Sequence, residues 1–269
     1  MAPARGDAMM HATLASALVI AATWDSWRWY VRRIAAAPED VLTLVVALVV
    51  LAIAGARQKQ RGPAAPLPLA TLALLLAGYA ASHGVMPPIV RAGLAAGVVL
   101  FCLHLTLFRR QPPAALWGLA ALALPILPSL HFMLDYPLRL ACAALAVGLL
   151  RAHGLAVEQQ GTLLVWHGAT VEFDAPCSGV NMLWAGLLFT LMGCSLLELG
   201  AARTAAAVAI AVMVVVAGNV LRSVSLFYFE AGVVVAVPAW CHQGIGLAAF
   251  VLSTLVMLWV LLRLDRRPA

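Results

Sequence analysis

The sequence predicts an all-α integral membrane protein, a polytopic bundle of about eight transmembrane helices with a small extracytoplasmic β-hairpin. Three observations carry this expectation. First, 64% of the 269 residues are hydrophobic and only 10% are charged, where soluble domains have about 45–50% and about 25%. The mean hydropathy is +0.98, so there is too little polar side chain to coat a soluble surface. Second, apolar runs near the length of a bilayer span, about 20 residues, recur along the chain. Third, the basic residues, seventeen in all with Lys59 the single lysine, fall in short clusters between those runs. Such clusters suit loops beside anionic lipid on the cytoplasmic face.

Spans are expected near 8–23, 41–56, 67–83, 89–108, 114–130, 178–197, 203–221 and 243–262. The first is followed by Trp24, Trp27, Trp29 and Tyr30, which read as an interfacial aromatic belt. A cleaved signal peptide is the alternative for 8–23. The n-region holds only Arg5 and no clean small-x-small site precedes the belt, so a retained span is preferred. Pro125 and Pro128 should break a helix. The apolar run 138–150 is short for a crossing, so 125–153 reads as an interfacial or re-entrant helix on the outer face rather than a further span. Over 154–176, Gly154, Gly161 and Gly168 separate short alternating runs, which predicts a β-hairpin outside the membrane ending at Pro176.

Charge orients the bundle. Arg57, Lys59 and Arg61, then Arg109 and Arg110, then Arg203, and finally Arg263, Arg266 and Arg267 flank successive spans. Placing them in the cytoplasm turns the tips near 83–88 and 130–177 outward. Arg28, Arg32 and Arg33 then land outside, against the rule. The acidic residues read as lying in loops or at span ends.

Nucleic acid is excluded as a partner, because no basic stripe with interleaved aromatics occurs. The five cysteines form neither a C-x-x-C pair nor a disulfide framework. Cys102, Cys142 and Cys194 lie in apolar runs and read as small core hydrophobes. The chemistry gathers elsewhere. Cys177 directly precedes the 178–197 span, Arg222 ends the 203–221 span, and His242 opens the last one. With antiparallel helices these three return to one depth on the outer side.

A thiolate is a strong nucleophile once its proton is lost. A helix N-terminus supplies partial positive charge and free N–H groups at Cys177. An imidazole can accept the thiol proton and return it to a leaving amine. Arg222 stays protonated, so it can stabilise an oxyanion or hold a carboxylate but cannot act as a base. Backbone N–H groups of Ser178 and Gly179 could complete an oxyanion hole, and Asn219 lies one turn before Arg222. Each residue also has a plainer reading: a structural thiol, a snorkelling arginine, an interfacial histidine. A Cys177–Cys241 disulfide is a further alternative.

Cys177-Ser178-Gly179, Asn219-Val220-Leu221-Arg222 and His242 with Gly246, in this order at the ends of late spans, resemble the exosortase/archaeosortase family. These are polytopic membrane cysteine transpeptidases. The resemblance covers about 120–265 and leaves the first hundred residues as generic hydrophobic helices. It implies N-terminal transmembrane helices over 1–110 and a catalytic region over 111–269. Cys177 would be the nucleophile, with Arg222 and His242 completing the set and Ser178, Gly179 and Asn219 in support. The substrate would be the C-terminal tail of an exported protein: a short motif, a hydrophobic span and a basic end. Cleavage would pass through a Cys thioester, resolved by an amine or by water. No metal or organic cofactor is required. The protein would sit in the plasma (inner) membrane with its site facing outward. A metal-dependent enzyme using Cys177, Cys241 and His242 is a rival, although zinc sites usually show close ligand pairs. A transporter or an assembly scaffold is the non-enzymatic rival.

Overall fold

The computed structural model describes residues 5–37, 41–56, 69–103, 113–172, 178–234 and 240–265. The chain is mostly helical and divides into two compact units, Met1–Ile126 with Glu198–Ala201, and Leu127–Leu197 with Ala202–Ala269.

The first unit contains α1 (Arg5–Ala22), α2 (Trp24–Ala36), α3 (Val41–Ala56), α4 (Leu69–Ala81), α5 (Pro88–Leu103) and α6 (Ala114–Leu122). Helix α5 packs against α1, α2, α4 and α6, while α3 packs on α6. Small residues allow this: Ala92 and Ala95 are buried, and a Cβ on Gly97 would come within 3.2 Å of the Trp117 ring. The expected aromatic belt forms the separate helix α2. There Trp27 donates to Thr23 Oγ1 at 2.9 Å, and Tyr30 donates to the Ala123 carbonyl at 2.7 Å. Ser26 and Tyr79 share a buried hydroxyl bond at 2.9 Å. The basic residues Arg57, Lys59, Arg61, Arg109, Arg110, Arg266 and Arg267 lie outside the described residues.

The structure revises several expectations between 114 and 153. The expected 114–130 span is not one helix: α6 stops at Leu122, ahead of Pro125. Residues 125–153 hold the expected helix, but it is longer than the 138–150 run suggests and long and apolar enough to cross a membrane. They supply α7 (Leu127–Ala152), which is 26 residues long. Pro128 starts this helix rather than breaking it, because the first turn has no use for its missing N–H. Pro137 lies inside α7 and removes one backbone bond without ending it. Asp135 therefore sits inside a long helix, not in a loop.

The second unit continues with β1 (Glu158–Gln160), β2 (Leu163–Trp166) and β3 (Ala169–Glu172). They form an antiparallel meander in the order β1-β2-β3, so the expected hairpin is present as β2–β3 and carries a third strand. Trp166 pairs with Ala169, leaving His167 and Gly168, both at positive φ, as a two-residue turn of the primed type that hairpins favour. Val157, Leu164 and Val171 are buried with Cys142 and Leu150 of α7, so one face of the sheet rests on that helix.

Then come α8 (Val180–Leu196), α9 (Ala201–Glu230) and α10 (Trp240–Asp265). Helix α9 runs beyond the 203–221 span expected from hydropathy. Its last turns bury Val224, Leu226 and Phe227 against the α7–sheet cluster, which rewards continuing the helix up to Gly232 at φ 71°. Glycine notches bring the three helices together. A Cβ on Gly186 of α8 would meet Val215 of α9 at 2.8 Å, and one on Gly193 would meet Leu261 of α10 at 2.5 Å. On α9, a Cβ at Gly218 would strike Ser253 of α10. These contacts make α8 and α10 parallel, with α9 antiparallel to both.

Among the described residues, Leu127–Ala152, Ala201–Glu230 and His242–Asp265 are long and apolar enough to cross a membrane. Val41–Val50, Ala70–Ala81, Pro88–Leu103 and Val180–Leu196 are shorter apolar helices.

Candidate active site

The directions of α8, α9 and α10 bring the start of α8, the 219–230 stretch of α9 and the first turns of α10 to one end of this helix group. Cys177 lies outside the described residues, in the stretch that joins β3 to α8. The two residues after it are well placed. Ser178 is buried, and its Oγ accepts the Val180 N–H at 3.3 Å. Gly179 caps α8 in the left-handed region, φ 79° and ψ 4°. Its carbonyl takes the first helical bond, from Leu183 N at 2.8 Å.

Gly179 is required on two counts. Left-handed backbone is costly for a residue with a Cβ. That Cβ would also stand 2.9 Å from Asn219 Cγ. Asn219 is itself 1% exposed, so it cannot swing away, and its Nδ2 donates to Cys142 Sγ of α7 at 3.3 Å. One amide thus ties three helices to the corner at which the Cys-Ser-Gly run enters α8. Cys142 is buried, as expected of a small core hydrophobe, and additionally serves as this acceptor.

Arg222 is half-buried one turn further along α9, inside the helix rather than at its end. Its guanidinium lies against α10 at Gly246: a Cβ there would be 3.3 Å from Arg222 Nε. His242 is in the first turn of α10, one turn before Gly246. Its Nδ1 is 3.4 Å from Oε1 of Glu230, the last residue of α9. The structure therefore joins Gly179 to Asn219, Arg222 to the turn after His242, and His242 to a carboxylate. Cys241 has no described side chain.

Two sets of polar residues escaped the sequence. Glu230 was hidden because α9 was expected to end before it. On α7, His131 Nδ1 is 3.3 Å from Asp135 Oδ1, and its Nε2 is 3.0 Å from Oδ1 of Asn181, in the first turn of α8. Arg139 Nε is 3.9 Å from Asp135 Oδ2. The four-residue spacing of His131, Asp135 and Arg139 is a helical signal, masked by the three prolines around it. Among the described residues no group of three His, Cys, Asp or Glu side chains could hold a metal ion.

The family model described as Transmembrane exosortase (Exosortase_EpsH) matches residues 5–259. No curated protein and no solved structure matches the chain.

Proposed function

The chain belongs to the transmembrane exosortase family, and from that premise we propose that it is a membrane-embedded cysteine transpeptidase acting on C-terminal sorting tails of exported proteins. The observation that carries this assignment is the convergence of Ser178-Gly179, Arg222 and His242 at one end of α8–α10, in a chain whose family match runs through all of them. The catalytic work is assigned to 111–269.

In the proposed reaction His242 takes the proton of the Cys177 thiol, and Sγ attacks the scissile carbonyl carbon. The negative charge that forms on the carbonyl oxygen is met by the Arg222 guanidinium and by backbone N–H groups at the start of α8. The C–N bond breaks, the amine leaves with the proton held by His242, and a thioester remains. An incoming amine, or water, attacks that thioester and gives its proton to His242. The thiolate leaves and is reprotonated. Arg222 contributes positive charge throughout and moves no proton.

The same logic sets the membrane geometry. With the arginine clusters inside, α7 carries the chain outward between Arg109-Arg110 and the sheet, and the site faces the extracytoplasmic side of the inner membrane. A tail that spans this bilayer presents its scissile bond at that interface. Sharing a membrane confines the search to two dimensions and raises the effective concentration.

The test is to co-express the chain with an exported reporter ending in a candidate motif, a hydrophobic span and a basic tail. A reporter–enzyme adduct released by hydroxylamine, present in the wild type and absent in Cys177→Ala, is the expected result. A reporter shortened equally by Cys177→Ala overturns the assignment.

A further inference from the structure

We propose that Glu230 is a positioning residue for His242, holding the imidazole by Nδ1 so that Nε2 is the nitrogen that exchanges protons. The proposal rests on the assignment of His242 as proton carrier. It starts from the 3.4 Å separation of His242 Nδ1 and Glu230 Oε1. An imidazole turned so that its Nδ1–H meets that carboxylate keeps Nε2 unprotonated and open as an acceptor.

The chain's architecture places this pair with some economy. Glu230 is the last residue of α9 and His242 lies in the first turn of α10. The antiparallel register that sets Ser253 against Gly218, and Gly246 against Arg222, also brings Glu230 opposite His242. Burial of Phe227 and Leu226 fixes the turn of α9 just before Glu230. The carboxylate is therefore delivered by a packed helix end, although its own side chain is 42% exposed and that of His242 45%. A half-exposed ion pair contributes little to stability. Its effect on the orientation of a proton carrier is the larger consequence.

The test reads the rate at which iodoacetamide alkylates Cys177 in the full chain in detergent, followed by mass spectrometry of the Cys177 peptide. This rate follows thiolate formation and needs no substrate. Glu230→Ala is expected to slow alkylation by about three- to tenfold, with Glu230→Gln moving the same way and Glu230→Asp recovering most of the rate. In a His242→Ala background, Glu230→Ala should slow it no further, because the two act through one proton transfer. Thermal midpoints check that each variant is folded, and Glu230→Gln keeps the size and carbonyl of the side chain should Glu230→Ala misfold. Alkylation at or above the wild-type rate in Glu230→Ala and Glu230→Gln overturns the proposal, since removing a bystander negative charge would favour the thiolate. Slowing that multiplies in the double variant overturns it too. If His242→Ala itself alkylates like wild type, the fault lies with His242 as proton carrier, and Glu230 loses its role with it.

Discussion

Two glycines of the candidate site stand directly against its polar side chains. Gly179 combines positive φ with a Cβ position 2.9 Å from the buried Asn219. Gly179→Ala should therefore cost about 1–2 kcal/mol from the backbone alone, and more from displacing Asn219. A lower thermal midpoint together with lost processing checks this. Gly246 is different, because its notch is filled by the Arg222 guanidinium. Gly246→Val should push that group aside while α10 still folds, so activity should fall well below wild type at a nearly unchanged midpoint. The residue types of the candidate site were legible in the sequence, since Cys-Ser-Gly, Asn-x-x-Arg and His carry their chemistry openly. The linkage of Asn219 to Cys142, seventy-seven positions apart, was not legible, because nothing local announces a contact made by folding. Glu230 was obscured for a related reason: apolar content marks where a membrane span ends, whereas the helix continues for as long as it finds something to bury.

At the scale of elements, most helices follow hydropathy, and the departures come from proline and from amphipathic packing. The same residue type ends α6 near Pro125, opens α7 at Pro128 and is carried within it at Pro137. Position in the helix, not identity, decides the effect. The sheet was legible as a hairpin because Gly161 and Gly168 mark its turns. Its first strand was missed because Glu158-Gln159-Gln160 has no hydrophobic alternation. Gly168→Val places a β-branched residue at φ 82° in the β2–β3 turn and should cost at least about 1 kcal/mol, readable as a lower thermal midpoint. Gly186 tests the bundle itself. Gly186→Leu overfills the notch against Val215 and Met257, which should destabilise the protein by about 1–3 kcal/mol. By separating α8 from α9 it should also lower activity, measured on the same reporter.

For the whole molecule, the membrane character was fixed by composition, and the family assignment now rests on a match over residues 5–259. The number of crossings is less directly written, because several apolar helices are shorter than a bilayer is thick and α7 breaks the proline rule that the sequence invited. The proposed function makes one end of α8, α9 and α10 an extracytoplasmic thiol centre. The most direct test is Cys177→Ala in the native host, with mass spectrometry of the C-termini of secreted and surface proteins. The account predicts that a set of these proteins keeps an uncleaved hydrophobic tail in the variant alone, while the variant remains folded and inserted. Identical C-termini in wild type and variant, with a co-expressed candidate tail also cut equally in both, would contradict it.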